Sequence, residues 1–195
     1  MTEERSAHLA RSELILGGQK SGKSRRAEAL AQAWLTGGTG RSAWLLATGL
    51  AWDAEMQARI ARHQRDRAER VPGMQTAQVP LDLAAAVRAR SQPECLLVID
   101  CLTMWLTNWM MPAQALSDMP QQWPAQREAF LAALARAPGP VVIVGNEIGL
   151  GVIPLGSEVR AFVDALGTLN QQVAAACSRV TLMCAGLPLA LKGGA

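Results

Sequence analysis

Leu14-Ile15-Leu16-Gly17-Gly18-Gln19-Lys20-Ser21-Gly22-Lys23-Ser24 is the stretch that decides the fold. Three apolar residues run into Gly17, and after the intervening residues Gly22-Lys23-Ser24 opens a segment in which Ala27, Leu30, Ala31 and Trp34 recur at helical spacing. This is G-x-x-x-x-G-K-[ST] set after a strand and before a helix, the context that makes the pattern a phosphate loop. The chemistry needs these residue types. Glycines let the backbone turn tightly and aim N–H groups at phosphate oxygens. The helix that starts there adds its positive dipole end. Lys23 can reach the β/γ-phosphates, and the Ser24 hydroxyl can ligate Mg2+.

Outward from the loop, strand-like and helix-like runs alternate. Strands are expected over Glu13 to Leu16, Ser42 to Ala47, Cys95 to Ile99, Pro140 to Val144 and Val180 to Ala185, with a sixth at Leu189 to Leu191. Helices are expected from Lys23 to about Leu35, from a cap at Asp53 to about Arg65, from Pro80 through Val87, over Leu102 to Met111, over Gln126 to Arg136 and over Ser157 to Cys177. Pro112 to Pro124 reads as an irregular, proline-interrupted connection. The alternation predicts one α/β domain over 13–195, a mostly parallel sheet with helices on both faces. Residues 1–12 read as a flexible polar extension. In such sheets ligands bind beyond the carboxyl ends of the strands. There the chain carries the phosphate loop, Thr48-Gly49, Asp100 and Asn146-Glu147.

Half of the 195 residues are apolar, which excludes disorder, and no apolar run reaches the ~18 residues that span a bilayer. A net charge of +3 is too small to argue for nucleic acid. With no apolar signal segment, the expected location is cytoplasmic. Cys95, Cys101, Cys177 and Cys184 lack paired spacing and lie far from His8 and His63, so reduced, mostly buried thiols are expected rather than a zinc site.

Asp100 ends the apolar run Leu96-Leu97-Val98-Ile99, as a carboxylate that holds Mg2+ opposite a phosphate loop does; the alternative is a cap for the helix at Leu102. Met56, Ile60 and His63 share one helical face, where a histidine is by default a satisfied core residue. Arg59 and Arg67, four residues to either side, change that reading. Positive neighbours disfavour the imidazolium, and a neutral imidazole among cations that attract phosphate suits nucleophilic attack on phosphorus. The arginines alternatively form a solvated face. The loop Gly149 to Gly156 either contacts substrate or is only a tight connection.

Together these residues resemble the bifunctional adenosylcobinamide kinase / adenosylcobinamide-phosphate guanylyltransferase family of cobalamin synthesis. The likeness rests on G-G-Q-K-S-G-K-S at 17–24, L-A-T-G at 46–49, D-A-E-M-Q-A-R-I-A-R-H at 53–63, V-I-D-C-L-T-M-W-L-T-N at 98–108, G-N-E-I-G-L-G-V-I-P at 145–154, R-A-F-V-D-A-L-G-T-L-N-Q at 160–171 and A-G-L-P-L-A-L-K at 185–192. It implies a RecA-like phosphate-loop NTPase fold and a homotrimer. It also implies phosphorylation of the aminopropanol hydroxyl of adenosylcobinamide by ATP or GTP, then transfer of GMP from GTP through a GMP–histidine on His63. The nucleotide contacts it implies are Gly17, Gly18, Gln19, Lys20, Ser21, Gly22, Lys23, Ser24, Thr48, Gly49, Gln64, Arg65, Asp66, Arg67, Gln78 and Asp100, with Ser24 and Asp100 on the metal. Lys23 and His63 are the implied catalytic residues. The family's Trp-x-Thr-x-Glu segment reads Met74-Gln75-Thr76-Ala77-Gln78 here, and Gln78 in place of a glutamate that contacts guanine implies a weaker preference for GTP. A kinase-only relative and a regulatory phosphate-loop ATPase are the competing readings.

Overall fold

The structure is a computed structural model that describes residues 9–51, 53–112, 119–152 and 154–194, with the side chain of Arg59 left out. Seven strands form one sheet: β1 (Ser12–Gly17), β2 (Ser42–Ala47), β3 (Gln75–Gln78), β4 (Cys95–Asp100), β5 (Val141–Val144), β6 (Arg179–Cys184) and β7 (Leu187–Lys192). Six helices join them: α1 (Lys23–Thr36), α2 (Ala54–Arg70), α3 (Leu83–Arg90), α4 (Leu102–Met110), α5 (Met119–Arg136) and α6 (Ser157–Ala176). The spatial order is β3-β2-β4-β5-β1-β6-β7, parallel throughout except for the β6–β7 hairpin. The expected α/β architecture is the observed one.

Both faces are covered, so the central strands carry continuous apolar runs rather than alternating; the buried exception on β1, Glu13, is paired with Arg26 at 2.9 Å and accepts from Thr181 Oγ1 at 2.7 Å. Leu14, Leu97, Ile99 and Ile143 face Val87, Trp105, Phe130 and Leu169 on one side. Ile15, Leu96, Val98 and Val142 face Ala27, Leu30 and Ala31 of α1 on the other. The parallel register lines up the strand ends. Gln78 pairs with Ala47, Ala47 with Asp100, Asp100 with Val144, and Val144 with Ile15. That row is the edge on which the phosphate loop sits.

Several expected boundaries change. Ser12 was assigned to the extension but is strand; its hydroxyl accepts from Ser178 N at 3.0 Å, and its carbonyl accepts from Ser178 Oγ at 2.9 Å. Gln75–Gln78 is an edge strand that its polar sequence does not announce, and α3 begins at Leu83 rather than at Pro80. The helix from Asp53 runs on to Arg70. Of the connection expected over 112–124, residues 113–118 lie outside the described residues, and 119–124 are helical, with Pro124 inside α5. Trp123, 4.9 Å from Trp105 and edge-on to it, anchors that turn. Packing of a large buried ring outweighs the one backbone hydrogen bond a proline removes. Cys95 and Cys177 are buried as expected, but Cys184 is exposed.

Candidate active site

Gly17 leaves β1 at φ +152°, and a Cβ there would come within 2.5 Å of the Met183 carbonyl oxygen, so only glycine fits. Gly22, at φ +100°, caps α1 in the left-handed region. Gly18, Gln19 and Lys20 are exposed, whereas Ser21 and Lys23 are buried. Lys23 Nζ donates to Gly18 O at 2.6 Å and reaches Ser21 Oγ at 3.4 Å, so the ammonium lies inside the curl of the loop. Burial pulls its pKa down, opposed by Cys101 and Asp100. A phosphate entering this curl meets the N-terminus of α1, the loop amides and a desolvated cation.

Ser24 Oγ donates to Asp100 Oδ2 at 2.9 Å. The alternative for Asp100, capping the next helix, fails: Cys101 occupies the N-cap of α4, and the carboxylate turns to α1 instead. The pair offers a hydroxyl and a carboxylate, hard oxygen donors of the kind that would suit Mg2+. Among the described residues there is no cluster of three or more His, Cys, Asp or Glu that could hold a metal without a ligand's help. Thr48 positions Asp100 from beneath. Its N–H donates to Asp100 O at 3.1 Å, and its hydroxyl donates to Cys101 O at 2.7 Å and accepts from Cys101 N at 2.8 Å. Asn108 Nδ2 in turn donates to Thr48 O at 2.8 Å. Thr48 is fully buried, so Gly49, above which a Cβ would meet nothing within 4 Å, is the accessible member of that turn.

α2 carries the next group of expected residues. Asp53 caps it, accepting from Met56 N at 2.7 Å. His63, Gln64 and Arg65 are exposed, and Asp66 and Arg67 are half-buried. An exposed His63 rules out the core-histidine alternative. Burial lowers the Arg67 pKa, opposed by Glu28 and Asp100, so this guanidinium lies within electrostatic reach of the strand-tip carboxylate. Gln64 and Arg67 line a small cavity of about 130 Å3 against Met74 and Thr76. Gln78 is exposed at the end of β3, in register with Ala47 and through it with Asp100.

Sequence reasoning missed Glu28. It lies one turn beyond Ser24 on α1, is 7 % exposed, and sits 3.2 Å from Arg70 Nε, tying the end of α2 to the phosphate-loop helix. Beside Arg25 and Arg26 it reads as surface, and the sequence carries no signal of its burial.

A phosphate loop, a serine at the start of α1 paired with an aspartate at the tip of β4, and a mostly parallel, doubly covered sheet define a phosphate-loop protein of RecA-like fold. The flagellar accessory protein FlaH from Methanocaldococcus jannaschii shares this fold with TM-score 0.52 at 13 % identity, over 96 % of this chain and 82 % of its own. Residues 13–191 match the family described as cobinamide kinase / cobinamide phosphate guanyltransferase, and the chain belongs to that family. It is 46 % identical over 181 residues to a bifunctional adenosylcobalamin biosynthesis protein of Pseudomonas aeruginosa, covering 93 % of this chain and 97 % of that one. A protein of the same description from Escherichia coli is 33 % identical over 188 residues, 92 % and 98 % of the two chains.

Proposed function

We propose that one nucleotide site serves both steps: phosphorylation of the aminopropanol hydroxyl of adenosylcobinamide, then transfer of GMP from GTP to that phosphate through a GMP–histidine intermediate. The observation that carries this reading is the charge link between α2 and the loop. Arg67 lies within electrostatic reach of Glu28 and Asp100, and His63 stands one helical turn away, exposed.

In the guanylyl step a ring nitrogen of His63 attacks the α-phosphorus of GTP. The P–N bond forms, and the bond to the β-phosphate bridging oxygen breaks, releasing pyrophosphate. The acceptor phosphate then displaces the imidazole, forming the new P–O bond as the P–N bond breaks. Dividing one transfer between two anions into two steps is what a covalent intermediate supplies. Lys23 exchanges its bond to Gly18 O for phosphate oxygens, and Arg67 shields the α-phosphate charge. Ser24 and Asp100 would hold a Mg2+, which when bound neutralises phosphate charge. Gln64, Arg65, Asp66 and Gln78 complete the nucleotide contacts, with Gln78 relaxing the preference for GTP over ATP. The same reading makes the protein a cytoplasmic homotrimer, a state supported by the exposed leucines of β7. No helix among the described residues is long and apolar enough to cross a membrane.

Incubation with α-labelled GTP and Mg2+ is expected to leave an acid-labile, alkali-stable label on the protein and none on His63→Ala. An unlabelled protein, or a labelled His63→Ala variant, would sink this assignment. Transfer of γ-phosphate to adenosylcobinamide without labelling would instead mark a kinase-only enzyme.

A further inference from the structure

A second cavity, of about 510 Å3, lies between α6 and the β6–β7 hairpin and reaches the edge of the sheet at Leu16 and Glu147. No step above uses it, yet it adjoins the phosphate loop. The Glu147 N–H donates to Gly17 O at 3.1 Å, which fixes this residue against the first glycine of the loop. Its carboxylate is half-buried, with Oε1 accepting from Gly149 N at 3.0 Å.

The α6 wall has a definite chemistry. Gly167, Asn170, Gln171 and Ala174 fall at i, i+3, i+4 and i+7, forming one stripe along the cavity. Asn170 is 4 % exposed, and its Nδ2 donates to Asn146 O at 3.0 Å, which ties this wall of the cavity to the turn that carries Glu147. A Cβ on Gly167 would meet nothing within 4 Å, so the space beside it is open. The opposite wall carries Val180 and Leu191, with Lys192 at its end, where its ammonium donates to Ala174 O and Ala175 O at 2.9 Å. Amide side chains on one wall, Val180 and Leu191 on the other and a carboxylate beside the phosphate loop match an amide-linked chain that ends in an alcohol.

We propose that this cavity is the acceptor site of the kinase step, and that Glu147 takes the proton of the acceptor hydroxyl. The proposal rests on the functional reading above and extends it to the corrinoid side. The hydroxyl oxygen forms its bond to the γ-phosphorus, and the bond from that phosphorus to the bridging oxygen breaks. The electron pair leaves with the nucleoside diphosphate, and the hydroxyl proton passes to the Glu147 carboxylate. General-base assistance of this kind contributes about 10²–10⁴-fold.

The test uses the full chain and three measurements: protein labelling by α-labelled GTP, phosphate transfer to adenosylcobinamide, and GMP transfer to separately prepared adenosylcobinamide phosphate. Glu147→Gln is expected to lower kinase turnover about 10²-fold or more and to flatten the acid limb of its pH profile, with labelling and GMP transfer within about twofold. Gly167→Leu, which places a better helix former over open space, is expected to raise the KM for adenosylcobinamide about tenfold or more while labelling holds. An unchanged KM in Gly167→Leu overturns the cavity assignment. A kinase pH profile unchanged in Glu147→Gln, or labelling lost together with the kinase, overturns the role given to Glu147. An unmodified protein inert toward adenosylcobinamide sinks the functional reading itself, which separates that failure from the other two.

Discussion

Glu28 shows how a single residue couples charge to stability here. Burial raises its carboxyl pKa above the ordinary 4.5, Arg70 and Arg67 oppose that rise, and Asp100 and Asp66 add to it. A raised folded-state pKa means that the folded chain holds this proton more tightly than the unfolded chain does. The stability it contributes is therefore fully present below the unfolded value and lost as pH rises through the folded one. Urea-unfolding midpoints measured across the window just above pH 4.5 should fall with rising pH, and Glu28→Gln should remove that part of the slope. A variant that keeps the full slope would assign it to another group. The residue also marks a limit of sequence reading. The Ser24–Asp100 pair is legible because a phosphate loop and an acid at a strand tip belong to one chemistry. Glu28, on a helix beside Arg25 and Arg26, reads as surface, and only the approach of α2 buries it.

At the level of elements, hydrophobic pattern decided what could be read. β1, β4 and β5 are built around the apolar runs 14–16, 95–99 and 141–144 and stand as expected, within a residue or two. β3 is Gln-Thr-Ala-Gln, an edge strand held by its backbone pairing with β2, and nothing in its side chains signals it. The start of α5 misled for a different reason: prolines at 120 and 124 suggest a loop, but Trp123 packs against Trp105, whose ring also lies 5.1 Å from Phe130. If that aromatic cluster holds the proline-containing turns, Trp123→Ala should destabilise the protein by about 3–5 kcal/mol. Chemical denaturation measures this. A loss below about 1 kcal/mol would mean that the helix start is held by something other than the ring. Trp123 belongs to neither the phosphate loop nor α2, so labelling by GTP should survive wherever the variant is folded.

At the scale of the whole molecule the sheet ends asymmetrically. β3 is a short polar edge, the form that discourages further pairing. β7 is six residues long and carries Leu187, Leu189 and Leu191 at 71, 56 and 56 % exposure, all on one face because strand side chains alternate. Leu150, Val152 and Leu155, 84 to 98 % exposed, add apolar surface in the loop before α6. So much bare hydrocarbon on an edge strand is what a protein buries against another chain. The proposed trimer supplies that chain, and since Leu191 also lines the large cavity, assembly and acceptor binding share a wall. Leu189→Asp puts a charge in the middle of the leucine row without touching the phosphate loop. Sedimentation velocity should then find monomer where the unmodified chain is trimeric, with the KM for adenosylcobinamide raised and GTP labelling retained. A Leu189→Asp protein that still sediments as a trimer would move the interface off β7, and an unmodified protein that sediments as a monomer would remove the trimer altogether.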